Sequence, residues 1–118
     1  MGKYVKATFH EKDSHATTIL ERIHTDMCGP FSVASTAKHR YYVIFVDDFS
    51  HKCWVFFMQK KSETYSKFSE FKALVEKESG KHVMALRSNN GGEFISGKFK
   101  DFCSAEGIRR ELIAPHNP

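Results

Sequence analysis

Four acidic side chains and one amide could carry chemistry in this sequence. They are Asp26 in "HTDMCGP", the adjacent Asp47 and Asp48 in "YYVIFVDDFS", and Glu93 in "LRSNNGGEF", where Asn89 precedes a Gly-Gly pair. Converging carboxylates can hold two divalent metal ions about 3.5–4 Å apart and transfer phosphoryl groups on nucleic acid. Their charge balances the metals, and the metals stabilise the attacking and leaving oxygens. Asp26 is either such a carboxylate or a turn residue ahead of Gly29-Pro30. Asp47 and Asp48 point to opposite faces of any strand they occupy, so at most one can join Asp26. In a hairpin turn both would face solvent and accept backbone hydrogen bonds. Glu93 either reaches the strand end or supports the loop, and support is the expectation. An amide at Asn89 can coordinate a hard cation through its oxygen, but without the charge that holds and balances two.

The elements that position these residues follow from hydrophobic pattern. Residues 1–20 are polar, mixed in charge and aperiodic, and read as an extended arm with little structure of its own; the ordered domain is expected over 21–118. Ile23 to Cys28 reads as a strand ended by Gly29-Pro30. Tyr41–Val46 and Cys53–Met58 are nearly continuous apolar runs rich in β-branched and aromatic residues, suited to buried central strands. The short polar link between them predicts an antiparallel hairpin. Tyr65, Phe68, Phe71, Leu74 and Val75 then recur at helical spacing, with Ser62 expected as cap and Gly80 as stop. "KHVMALRS" is another strand and "SGKFKDFCSAEG" a second helix, with Ser96 as cap and Gly107 as stop. "IRRELIAP" closes as a strand. The order β-β-β-α-β-α-β makes the first helix a crossover, so the fourth strand returns parallel to one already in the sheet. Beside the first strand, it would bring Asn89 to face Asp26.

Composition narrows the class. The 118 residues include 41 % hydrophobic and 14 % aromatic side chains, a globular balance for one domain. The formal charge of +4 is compatible with nucleic acid or another acidic partner. Three widely spaced cysteines, with no CxxC pair, read as small buried hydrophobes in a reducing compartment. The N-terminus carries no apolar signal core, and no run approaches the ~18 apolar residues of a membrane span. The expectation is an intracellular, soluble chain, cytoplasmic or nuclear, with no membrane association.

Together, "HTDMCGP", "YYVIFVDDFS", "LRSNNGGEF" and "GIRRELIAPHNP" resemble the integrase catalytic core of copia-type LTR retrotransposon polyproteins, from about Ile23 to Pro118. The resemblance implies an α/β, RNase H-like fold with a mixed five-stranded sheet, and an Asp–Asp–Glu site binding Mg²⁺ or Mn²⁺ for DNA strand transfer. Asp26 matches the first catalytic aspartate. The second is the first residue of a motif that usually reads Asp-Asn-Gly-Gly-Glu, and here it is Asn89. The third carboxylate would fall a few residues beyond Pro118, in a C-terminal helix that this chain is expected to lack. His51 also stands where Arg or Lys is usual.

The resemblance further implies a His-His-Cys-Cys zinc module ahead of the core, of which residues 1–20 would be the trailing linker. The histidines present have no cysteine partners at ligand spacing, so no zinc is expected. The implied function is that of an integrase-core fragment, inactive because Asn89 replaces one carboxylate and another lies outside, with Asp26 at best a weak metal ligand. DNA is the implied partner, with Lys38, Arg40, Lys60, Lys61, Arg109 and Arg110 as candidate phosphate contacts and a homodimer or other self-association as a possible state. The alternative is a non-catalytic nucleic-acid-binding or self-associating module. A third reading is a rearranged metal nuclease using Asp26, Asp47 or Asp48, and Glu93.

Overall fold

The two apolar runs pair as the central hairpin of a single sheet. A computed structural model describes residues 4–8 (as backbone), 16–31, 40–89 and 91–113. Its strands are β1 (Tyr4–Thr8), β2 (Ile23–Cys28), β3 (Tyr41–Asp47), β4 (Lys52–Met58), β5 (Ala85–Asn89) and β6 (Arg109–Ile113). They lie in the order β1-β4-β3-β2-β5-β6. β3 pairs antiparallel with β2 and β4, whereas β5 runs parallel to β2 and β6 parallel to β5. This is the mixed α/β sheet expected, enlarged by one strand. Within the arm read as unstructured, residues 4–8 form β1 antiparallel to β4 at the sheet edge.

Helix α1 (Thr64–Ser79) supplies the crossover to β5 and buries Phe68, Phe71 and Val75. It ends at Gly80, whose φ of 73° is the left-handed conformation that glycine adopts without a Cβ clash. Ser62 is not the cap expected, because a 3₁₀ turn over Lys61–Glu63 precedes the helix and Glu63 takes the N-cap position. A four-residue helix, α2 (Gly92–Ile95), follows β5, and α3 (Gly97–Ala105) leads to β6. Ser96 caps α3 as expected, accepting a hydrogen bond from the Phe99 N–H.

The helices and one sheet face enclose an aromatic core. The Phe45 ring stacks on Phe71 at 4.5 Å, and Phe68 stacks on Phe99 at 5.4 Å. Ile23, Val43, Phe45, Trp54, Phe56 and Met58 contribute the sheet side. Alternation then puts His24, Asp26, Cys28, Tyr42 and Phe57 on the opposite face. Phe31 stacks on Tyr42 there, and Phe31 and Phe57 are both exposed. Cys53 and Cys103 are buried as expected, but Cys28 is exposed. Burial pushes the Cys103 thiol up to about 11, keeping it an inert packing group. Among the described residues, no helix is long and apolar enough to cross a membrane.

Candidate active site

The parallel return of β5 places its C-terminal end beside that of β2. Ile23 and His24 pair in register with Leu86 and Arg87, so Asp26 and Asn89 follow as neighbours on the sheet face away from the helices. Asn89 Nδ2 donates a hydrogen bond to Asp26 Oδ1 at 3.2 Å, and both residues are exposed. Asp26 Oδ1 also accepts from the Met27 N–H at 2.9 Å. The other half of the Asn89 amide is engaged too, its Oδ1 accepting from the Gly91 N–H at 2.7 Å. Gly91 lacks a side chain for a local reason: a Cβ there would lie 2.5 Å from Glu93 Oε2 and 2.9 Å from Asn89 Oδ1. Gly91 therefore lets the chain fold closely over Asn89 before α2 begins, whereas a Cβ at Gly92 would meet nothing within 4 Å.

The other acidic candidates go elsewhere. Asp47 and Asp48 accept backbone hydrogen bonds as expected, but they are buried rather than solvent-facing, at 1 % and 3 % exposure. Asp47 accepts from the Leu20 and Ser50 N–H groups at 2.7 and 2.8 Å. Asp48 accepts from the Ala16 N–H at 2.9 Å and lies 2.6 Å from His24 Nε2. These two carboxylates lock residues 16–20 onto the hairpin, which offsets the cost of burying their charge. Glu93 sits in the first turn of α2 and lines a cavity of about 540 Å³ with Lys61, Tyr65, Ser96 and Lys98.

This donor set does not make a divalent-metal site. Among the described residues there is no group of three His, Cys, Asp or Glu side chains able to hold a metal ion. At the strand ends one carboxylate faces an amide that presents its N–H₂ side, and the amide oxygen is already taken by Gly91. A two-metal centre needs converging negative charge. The described residues do not fit one.

The candidate phosphate contacts are spread over several environments. Lys38 lies outside the described residues. Arg40, Lys60 and Lys61 are exposed, the last at the cavity rim. Arg110 donates to the Phe94 carbonyl at 3.1 Å. Arg109 donates to Glu111 Oε2 through Nε and Nη2, at 3.0 and 2.9 Å. Pattern reading did not single out the centre of that last contact. Glu111 also receives Arg22 Nε and Arg87 Nε at 3.0 Å each. Partial burial alone would push the Glu111 carboxyl up; hydrogen bonds from Arg22, Arg109 and Arg87 outweigh it and hold the carboxyl at about 2. The Tyr42 hydroxyl, hydrogen-bonded to Cys28 and near Asp26, is raised above its ordinary value.

The integrase core domain model matches residues 16–118. The chain belongs to the integrase core domain family. This core is 38 % identical over 117 residues to the retrovirus-related Pol polyprotein from transposon TNT 1-94 of Nicotiana tabacum, covering 99 % of this chain and 9 % of the relative. It is 34 % identical over 118 residues to the Pol polyprotein from transposon RE2 of Arabidopsis thaliana, covering 100 % of this chain and 8 % of the relative. The core thus spans less than a tenth of the polyproteins it matches. Among solved structures, the simian T-cell lymphotropic virus intasome aligns with a TM-score of 0.70 at 17 % identity, over 98 % of this chain and 39 % of that one. The HTLV-2 integrase catalytic core domain, in its dimeric form with magnesium, aligns at 0.65 and 21 % identity, over 81 % of this chain and 62 % of that one. At these identities the structures establish the RNase H-like fold alone. The match begins at Ala16, inside the segment read from sequence as a loose arm, and Ala16 and Leu20 are indeed buried.

Proposed function

We propose that this chain is the catalytic-core segment of a copia-type retrotransposon integrase whose strand-transfer chemistry has been disabled at the end of β5. The Asn89 Nδ2 to Asp26 Oδ1 hydrogen bond carries this reading. A donor occupies the space where a second acceptor would share a cation with Asp26, so the strand ends are joined without metal. The ancestral activity on this reading is Mg²⁺- or Mn²⁺-dependent joining of DNA ends, with DNA as the partner. Asp26 alone supplies too little negative charge to retain two divalent ions.

A supercoiled-plasmid cleavage assay with Mn²⁺, run beside Asp26→Asn, tests the proposal. No cleavage above that control is expected. Mn²⁺-dependent cleavage that Asp26→Asn abolishes would overturn it.

A second reading, a non-catalytic module that binds nucleic acid or associates with itself, is favoured by exposed Lys60 and Lys61 and by the exposed Phe31 and Phe57 flanking Tyr42. The rearranged site using Asp47 or Asp48 has no support in the geometry, since both are buried and engaged in structural hydrogen bonds.

A further inference from the structure

Three arginines from separate segments meet on the sheet face that carries Asp26 and Asn89. Arg22 precedes β2, Arg87 lies two residues before Asn89 on β5, and Arg109 opens β6. Their shared partner is Glu111, which is in register with Arg87. Arg87 donates to Glu111 Oε1 through Nε and Nη2 at 3.0 and 2.9 Å, while Arg109 uses Oε2 in the same two-pronged way. Arg22 divides its charge between Glu111, at 3.0 Å, and Asp48 Oδ2, at 3.6 Å. Three guanidinium groups thus face two carboxylates, leaving one positive charge in excess when His24 is neutral. The excess lies at the surface, because the Arg87 and Arg109 side chains are 31 % and 61 % exposed. Each guanidinium carries five N–H donors in a planar fork suited to phosphate oxygens. In Arg87 and Arg109 Nε and Nη2 hold Glu111, which leaves Nη1 of each outside that contact, whereas Arg22 Nη1 lies 3.6 Å from Asp48 Oδ2.

We propose that Arg22, Arg87 and Arg109 form a cradle for a backbone phosphate of a nucleic-acid strand lying across this face, with Glu111 as the internal counter-ion that holds the forks in place. The cradle rests on the reading of the chain as an integrase core and extends its phosphate contacts from Arg109 to Arg22 and Arg87. One side-chain repeat along β5, about 7 Å, separates Arg87 from Asn89. A phosphate bound there would guide the strand along the row that ends at Asp26. Arg87 and Arg109, the more exposed pair, contact the phosphate and Arg22 completes the cradle behind them; none touches a reacting atom.

The test is fluorescence anisotropy of a fluorescein-labelled DNA duplex over a salt series, with the original chain, Arg87→Gln, Arg109→Gln, Glu111→Gln and Lys77→Gln. Lys77 is an exposed control on α1, and thermal melts establish that each variant folds. Loss of Arg109 or Arg87 is expected to weaken binding regardless of DNA sequence and to lower the slope of log affinity against log salt by about one. Glu111→Gln is expected to tighten binding, because it removes the competing charge. Should Arg87→Gln not fold, Arg109→Gln and Glu111→Gln carry the test with opposite signs. The cradle is overturned if Arg109→Gln binds like the original chain, if Glu111→Gln fails to tighten binding, if Lys77→Gln changes the slope as much as Arg109→Gln, or if no protein binds DNA at low salt. Plasmid cleavage tests the disabled-site reading separately, so either result can fail alone.

Discussion

Replacing Glu111 with glutamine should make a pH-dependent part of the stability disappear. The carboxylate is only 20 % exposed and receives hydrogen bonds from Arg22, Arg87 and Arg109, which hold it at about 2 against an ordinary 4.5. Because the folded value is depressed, the stabilisation is fully present above pH 4.5 and is lost as pH falls toward 2. Without screening, the gap corresponds to about 3 kcal/mol; solvent at the rim of the cluster reduces it to about 1–2 kcal/mol. Glutamine keeps the shape and one acceptor but never carries the charge. Urea melts of both proteins at several pH values between 7 and 2 isolate the effect, since the other carboxyls titrate alike in each. The expected result is a deficit of about 1–2 kcal/mol for Glu111→Gln at pH 7 that shrinks steadily below pH 4.5. A deficit that stays constant down to pH 2, or none at pH 7, would refute the claim that this carboxylate is the electrostatic hub of β2, β5 and β6.

Two further substitutions probe the strand ends and the hairpin. Without metal, Asn89→Asp replaces a 3.2 Å hydrogen bond by two facing carboxylates and should cost about 1–2 kcal/mol at neutral pH. Urea melts in EDTA at neutral pH measure it. Asp47→Ala orphans the Leu20 and Ser50 N–H groups, which Asp47 now accepts at 2.7 and 2.8 Å. It should lower stability by about 2–4 kcal/mol in the same assay, with Asp47→Asn recovering part of the loss.

Local pattern carried most of the architecture. The apolar runs of β3 and β4 and the helical stripe ending at Gly80 depend on near neighbours, and each formed where its sequence placed it. The crossover rule makes β5 parallel to a strand already in the sheet, and its pairing with β2 in the structure sets Asn89 beside Asp26. Features that depend on distant partners were not legible. β1 owes its order to pairing with β4 more than forty residues away, so five residues inside a mixed, aperiodic stretch read as part of an arm. Asp47 and Asp48 look like solvent-facing turn residues because their burial comes from residues 16–20 folding over them. The Glu111 cluster requires the register of three separate segments, and no spacing within "GIRRELIAP" announces it. Helix α2, at four residues, is too short to show a period.

The central claim is that one amide stands where a carboxylate would complete the pairing with Asp26. Thermal unfolding of the original chain and of Asn89→Asp during titration with Mn²⁺ tests it most directly, because an ion that binds only the folded state raises the melting temperature with its concentration. The expected result is a concentration-dependent rise for Asn89→Asp and none for the original chain. An equal rise in both proteins would contradict the claim and place metal binding beyond the control of Asn89.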